Sequence, residues 1–266
     1  MKTTKIFFII SLAFFACQHP ENKIKPEPTD IKEAAFIWKS DSLGDYYHKH
    51  SKILIPVEFE RPYTRKSYLS LNNGLGRHSI YHDFADTVGE LKSKDTSMIT
   101  VDNVSGKLGE IDFGPVAFQV SKRTGSEPDS IAGEISLDFF KGRDLLIDFK
   151  DGCIQIADYF PWSEKMEFVE YQVYHDDKIL IPVKMSDLDM TFLLNPESTL
   201  FVVFNPECDL SEIRIATQIW QIPDRRSISD PNPAFDGILG YSFLKDKKLL
   251  IRPDDSLIAI LDSIPE

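Results

Sequence analysis

The sequence predicts a mainly β protein made of two similar β-barrel lobes with short helices. The first observation is a period-two alternation of apolar and polar residues, which is typical of strands and dominates the chain. The second is that Gly, Pro, Asn or Asp separates these runs, as expected for short strands joined by tight turns. The third is an internal duplication, because three blocks of sequence occur twice in the same order. Many short strands with few helical patterns favour closed or half-closed barrels.

The first 16 residues are expected to be a signal peptide. Lys2 and Lys5 give a positive start, and residues 6–16 form an apolar run too short to span a bilayer as a helix. The run ends in Phe-Phe-Ala-Cys, which resembles a bacterial lipoprotein signal, so Cys17 is expected to carry a lipid. An ordinary secretory signal cut elsewhere is the alternative. Residues 17–35 are expected to be a flexible tether, because they open with the polar, Pro-rich stretch QHPENKIKPEPTD.

The composition limits the class of partner. The chain has 266 residues, 42% of them hydrophobic, which is ample for a core, and a formal net charge of −12. This acidic balance argues against nucleic-acid binding, since there is no basic stripe to meet phosphates. A lipid on Cys17 would provide the only membrane contact. We therefore expect a monomer in the cell envelope, and Gln18 favours the outer membrane or cell surface because it is not an acidic retention residue.

Cysteines and histidines give weak signals for a metal, and no cofactor is expected. Cys153 and Cys208 are too scattered to form a disulfide framework, and whether they pair is left open. No Cys-x-x-Cys zinc motif and no Gly-x-Ser-x-Gly elbow occurs. Two histidine pairs have spacings that a metal can use, but ordinary surface or hydrogen-bonded roles are favoured. These pairs are His48 with His50 and His78 with His82.

The duplication is clearest in the hexapeptide Lys-Ile-Leu-Ile-Pro-Val, which occurs at 52–57 and at 178–183. Each copy is followed by a polar hairpin and an apolar strand, YLSL or TFLL. Each strand runs into a turn that begins with an asparagine, Asn72 or Asn195. Three matching blocks in one order indicate a duplicated lobe.

The later blocks set the lobe boundaries. GEISLDFFKGRDLLIDF at 133–149 corresponds to GILGYSFLKDKKLLIRP at 237–253. We predict an N-terminal lobe over 36–158, a crossing segment over 159–177 and a C-terminal lobe over 178–266. Short helical patterns are predicted near 81–92, 136–141 and 240–245.

This arrangement of strand, tight turn, strand and later Gly-containing apolar segment resembles the pepsin/retropepsin-like aspartic protease family. In that family each lobe carries Asp-Thr/Ser-Gly on the turn, supported by the later segment. The turn positions here are Asn72, Asn73 and Gly74 in the first copy, and Asn195, Pro196, Glu197 and Ser198 in the second. The supporting positions are Ile135 and Ser136 in the first copy, and Leu239 and Gly240 in the second.

The resemblance implies a pair of carboxylates that share one proton, which this sequence lacks. Asn72 and Asn195 have nearly the shape of aspartate but no proton to exchange near neutral pH. Pro196 has no N–H to give, and Glu197 replaces a glycine, which is expected to strain a turn that needs a positive φ. Glu197 lies two residues from the acid position and is expected to be a solvated turn residue rather than a catalyst.

Three functional hypotheses remain. The leading one is a catalytically inactive aspartic-protease-like lipoprotein that binds an extended peptide or an envelope protein in the cleft between its lobes, with a hairpin flap within 97–121. The second is an active aspartic-type peptidase that uses non-standard residues. The third is a purely structural envelope lipoprotein.

Overall fold

Strands dominate the protein, which confirms the predicted mainly β class. The computed structural model describes residues 30–43, 46–60, 66–72, 76–95, 98–123, 128–175, 178–204, 211–222, 225–227 and 234–265. The expected signal peptide and Cys17 lie outside these ranges. Within them, no helix has the length and apolar character needed to cross a bilayer.

The first half of the chain contributes eleven of the described strands and one α-helix. The strands are β1 (Lys32–Ala35), β2 (Ile37–Leu43), β3 (Tyr46–Phe59), β4 (Ser67–Asn72), β5 (Ser79–Tyr81), β6 (Glu90–Asp95), β7 (Met98–Leu108), β8 (Ile111–Ser121), β9 (Ile131–Ser136), β10 (Asp144–Asp148) and β11 (Cys153–Ala157). Helix α1 (His82–Val88) follows β5, and a 3₁₀ helix (Leu137–Phe140) follows β9.

The second half also contributes eleven of the described strands and one α-helix. Its described strands are β12 (Val169–Glu170), β13 (Gln172–Tyr174), β14 (Lys178–Met185), β15 (Leu188–Leu194), β16 (Phe201–Val203), β17 (Glu212–Ile215), β18 (Gln218–Gln221), β19 (Arg225–Ser227), β20 (Gly237–Leu239), β21 (Lys248–Arg252) and β22 (Leu257–Leu261). A 3₁₀ helix (Pro161–Lys165) precedes β12, and helix α2 (Tyr241–Leu244) follows β20.

The N-terminal lobe is one curled sheet. Its described strands follow the order β2-β3-β4-β9-β5-β8-β7-β6, and β3 also pairs with β7. In the hexapeptide of β3, Ile53, Ile55 and Val57 lie in the main core, Leu54 is buried in a smaller cluster on the other face, and Pro56 is exposed. The long strand β3 therefore buries apolar side chains on both of its faces, and its pairing with β7 closes the sheet.

The C-terminal lobe repeats the pattern. Its described strands follow the order β18-β17-β14-β15-β20-β16-β19, with β13 pairing to β14. The second hexapeptide lies in β14, where Ile179, Ile181 and Val183 are buried. In both lobes the hexapeptide strand pairs antiparallel with the strand that leads to the asparagine turn. The duplication read from the sequence is thus a duplication of structure.

A third sheet joins the lobes, with the described order β1-β11-β10-β21-β22-β12. At its centre β10 pairs antiparallel with β21, so that Leu146 lies opposite Leu250 and Leu145 lies opposite Ile251. These residues belong to the duplicated triplets Leu-Leu-Ile, so each triplet faces its own copy in reverse order. A pseudo-twofold axis therefore passes beside Leu146 and Leu250.

Charged residues break the twofold symmetry where β10 pairs with β21, a contact that we call the seam. Asp148 of β10 lies opposite Lys248 of β21 and forms an ion pair with it, and Asp144 accepts a hydrogen bond from the Arg252 Nε at 3.3 Å. Both acids come from the first lobe and both bases from the second. Two copies of the same lobe, paired in this register, would place like charges opposite each other.

Two segment boundaries differ from the prediction. Lys32–Ala35, expected to belong to the tether, form strand β1, because Ala34 is buried and the segment pairs with β11 along the sheet edge. The expected crossing segment contributes β12 to the joining sheet and β13 to the second lobe. Cys153 is a free, buried thiol, and burial raises its pKa to about 11. Cys208 lies outside the described residues.

Candidate functional site

Asn72 and Asn195 occupy matching places in the two lobes. Asn72 ends β4, which runs parallel to β9 with Leu71 opposite Ile135. Asn195 follows β15, which runs parallel to β20 with Leu194 opposite Leu239. Both asparagines are half-buried. The predicted supporting segments therefore lie beside the strands that deliver the two asparagines.

The second turn is an unstrained β-turn. The N–H of Ser198 donates to the Asn195 carbonyl at 2.9 Å, and the Asn195 Oδ1 accepts the N–H of Glu197 at 3.2 Å. Pro196, which is buried, presets the φ that the second residue of such a turn needs. The expectation of strain at Glu197 is wrong, since its φ is not positive and the turn does not require glycine there.

The second supporting segment forms two backbone hydrogen bonds with this turn. The N–H of Asn195 donates to the Leu239 carbonyl at 3.0 Å, and the N–H of Tyr241 donates to the Ser198 carbonyl at 2.6 Å. A Cβ on Gly240 would lie 2.1 Å from the Leu200 carbonyl oxygen, so only glycine fits at this crossing.

In the first lobe a different residue lies where the supporting segment crosses the turn. Ser136 stands where the second lobe has Gly240, and it is buried. Its hydroxyl donates to the Gly76 carbonyl at 2.6 Å and lies 3.3 Å from the His78 Nδ1. His78 takes the place of Phe201, since each follows its asparagine by six residues. A polar pair thus replaces glycine and phenylalanine in the first lobe.

Asn73 and Gly74 lie outside the described residues, so the first turn itself is not compared with the second. The other histidines have separate roles. The His50 ring stacks on the Tyr241 ring with centroids 3.7 Å apart, which links β3 of the first lobe to α2 of the second. His82 is exposed at the start of α1, and Asp83 lies in the first turn of that helix.

A cavity of about 350 Å³ lies beside the segment that follows the first turn. We call it the His78 pocket, and its lining is mainly apolar. It is formed by Gly76, Arg77, His78, Thr100, Ala117, Phe118, Gln119 and Asp138. His78, six residues after Asn72, was the only signal for this cavity in the sequence, because the lining comes from four separate stretches.

The expected hairpin within 97–121 is present, but its turn does not project freely. Strands β7 and β8 form it, and the N–H of Glu110 in the turn donates to the Glu33 carbonyl of β1 at 2.9 Å. The remaining candidate for a flap is the hairpin of β6 and β7, whose turn lies outside the described residues. Leu91 and Ile99 on this hairpin are 50% and 41% exposed.

Two amides cannot perform the chemistry of two carboxylates. Asparagine donates and accepts hydrogen bonds but neither gives up nor takes a proton near neutral pH. At Asn195, the side-chain oxygen already accepts a backbone N–H. General acid and base contributions are worth roughly 100- to 10,000-fold each, so losing both removes most of such a catalyst's rate.

The fold is similar to that of known proteins although the sequence is not. No protein-family model and no curated protein matches the chain. The crystal structure of basic 7S globulin from soybean is similar with a TM-score of 0.56 at 8% identity, covering 89% of this chain and 96% of that chain. The crystal structure of aspartic proteinase from Irpex lacteus is similar with a TM-score of 0.53 at 9% identity, covering 87% of this chain and 97% of that chain.

These likenesses show the fold alone. The chain has the bilobed aspartic-proteinase fold, as the resemblance in the sequence implies. One neighbour is named as a proteinase and the other as a globulin, so the fold does not decide catalysis. That question rests on the residues at the two turns.

Proposed function

We propose that this protein is a non-catalytic member of the aspartic-proteinase fold that binds an extended peptide between its lobes. The observation that carries the proposal is the matched pair of amides, Asn72 and Asn195, at the strand ends beside the two supporting segments. The turn after Asn195 keeps its hydrogen bonds, so architecture is retained where acid chemistry is absent.

Peptide binding follows from what surrounds the first turn. The His78 pocket has the size and the mainly apolar lining of a side-chain binding site. Thr100 of β7 and Gln119 of β8 are paired across the sheet and both line it. An extended chain running past this wall can place one side chain in the pocket.

We propose that the protein acts in the cell envelope. A lipid on Cys17 would hold the two lobes at the surface of a membrane in the cell envelope, with the peptide or protein partner in the same compartment. The acidic net charge of −12 favours a partner that is neutral or basic.

Titration of a fluorescein-labelled random heptapeptide library, followed by fluorescence polarisation, tests the proposal. Saturable binding is expected. Ala117→Trp should weaken binding at least tenfold, because Ala117 is exposed at the pocket and an indole would fill it. Leu188→Trp is the matched control, at a 51% exposed position outside this pocket, and should leave binding unchanged. No saturable binding by the folded protein would overturn the proposal.

A further inference from the structure

The His78 pocket contains a histidine whose orientation is fixed by its neighbours. The Nδ1 of His78 lies 3.4 Å from the backbone N–H of Ser136, which donates to it. The hydroxyl of Ser136 already donates to the Gly76 carbonyl. Because Nδ1 accepts, the ring proton of a neutral imidazole is on Nε2, at the opposite edge of the ring.

The imidazole is held neutral and in place. Burial lowers the pKa of His78, with Asp138 partly opposing that shift. The edge of the Phe139 ring meets the His78 ring at a centroid distance of 5.2 Å, and the Phe118 ring lies 5.8 Å away. Of these two rings only Phe118 also lines the pocket, so the imidazole N–H is presented there beside one aromatic side chain.

The second lobe shows that the fold does not require this histidine. Phe201 at the matching position is fully buried, and Gly240 replaces Ser136 there. Phe201 packs against the rings of Phe192 and Phe243, with centroids 5.6 and 6.1 Å away. The histidine and its contact with Ser136 are therefore particular to the first lobe.

Asp138 supplies an acceptor on the same pocket. It lies in the 3₁₀ helix that begins at Leu137 and forms an ion pair with Lys141 at 3.1 Å. The Lys141 side chain in this pair is 54% exposed. Such an exposed pair is weak and leaves the carboxylate able to accept a further hydrogen bond. Together with the polar side chains of Arg77, Thr100 and Gln119, the pocket therefore presents the His78 ring as a donor and the Asp138 carboxylate as an acceptor.

We infer that the His78 pocket selects a tyrosine side chain of the bound peptide, with His78 as the specificity-determining residue. A phenol can pack against the Phe118 ring of this cavity and carries one hydroxyl that both accepts and donates a hydrogen bond. The hydroxyl accepts from the His78 Nε2–H and donates to the Asp138 carboxylate. This inference rests on the proposed peptide binding.

Other side chains fit less well for stated reasons. Phenylalanine fills the same space but covers the His78 Nε2–H without giving it a partner. Glutamate brings a negative charge beside Asp138, and lysine brings a positive charge where Lys141 and Arg77 already stand. A neutral hydroxyl at the tip of a ring avoids these penalties.

The test compares two peptides that differ by one oxygen atom. The probes are fluorescein-labelled Thr-Ser-Thr-X-Thr-Ser-Thr amides, with X as tyrosine or phenylalanine, because β-branched threonine favours an extended chain. Wild-type protein should bind the tyrosine peptide about three- to tenfold more tightly, the ratio that one net hydrogen bond gives. The measured quantity is this ratio, which a purely structural role for His78 would not move.

Variants of His78 test whether this residue causes the preference for tyrosine over phenylalanine. His78→Phe, the residue of the second lobe, should bring the ratio to about one. His78→Asn keeps an acceptor toward Ser136, lacks Nε2, and should do the same if the phenylalanine variant fails to fold. His82→Phe is the matched control at an exposed position and should keep the wild-type ratio.

The failures are distinguishable. Equal binding of both peptides by the wild type, or a preference that survives in both His78 variants, overturns the inference and leaves peptide binding in place. Absence of binding to either probe and to the random library overturns the proposed function together with it.

Discussion

Replacing Lys248 by methionine should weaken the seam between the lobes. Lys248 of β21 pairs with Asp148 of β10, and their side chains are 16% and 6% exposed. Removing one partner of a buried ion pair costs about 3–5 kcal/mol, because the other charge stays buried. Asp148 keeps two backbone N–H donors, Lys150 and Asp151, each at 3.0 Å, so the lower end applies. We expect a loss of about 3 kcal/mol in the free energy of unfolding.

Urea denaturation followed by tryptophan fluorescence measures this loss, with the m-value checked for constancy. The midpoint of thermal unfolding should fall by about 6–12 °C. Lys184→Met is the matched control, because Lys184 pairs with Asp189 at 3.4 Å on a surface where Asp189 is 89% exposed, and its effect should stay below about 1 kcal/mol.

A double variant distinguishes the loss of the ion pair from the cost of leaving one charge buried and unpaired. Asp148→Asn with Lys248→Met removes both charges and should recover at least half of the single-variant loss, since no unpaired charge remains. If Lys248→Met costs no more than Lys184→Met, the ion pair does not hold the seam and the reasoning fails.

Three further predictions concern single positions. Because burial lowers the pKa of His78 below its ordinary value of 6.5, its contribution to stability is present above that value and is lost as the pH falls through the folded-state pKa. Denaturation midpoints from pH 8 to 4 should therefore fall less steeply in His78→Phe, and parallel curves would contradict this. Gly240→Ala should lower the free energy of unfolding by about 1–3 kcal/mol, because its Cβ meets the Leu200 carbonyl. Ser136→Ala, where a Cβ is already present, should cost about 1 kcal/mol through its lost hydrogen bond, and a larger loss than at Gly240 would refute the difference between the crossings. Cys17→Ser should abolish palmitate labelling and move the protein from the membrane to the soluble fraction, and retained labelling would place the lipid elsewhere.

Much of the fold could be predicted from the duplicated sequence pattern, because that pattern is local and repeated. The helices predicted near 81–92, 136–141 and 240–245 are observed at His82–Val88, Leu137–Phe140 and Tyr241–Leu244, the middle one as a 3₁₀ helix. Strand β1 was missed because Lys-Glu-Ala-Ala has little strand character, and its pairing with β11 is made far along the chain.

The site was predicted in part for similar reasons. The matching places of Asn72 and Asn195 followed from the repeat, whereas strain at Glu197 was wrong because the turn type cannot be read from a missing glycine alone. The contact between His78 and Ser136 joins residues 58 positions apart, and no local pattern encodes it.

Hydrolysis of unfolded casein between pH 3 and 8 tests the absence of catalysis most directly. Wild-type protein and Asn72→Ala/Asn195→Ala should release peptides at the same background rate, because neither form can transfer a proton at the two turns. A wild-type rate well above background that collapses in the double variant would show an active peptidase and contradict the account.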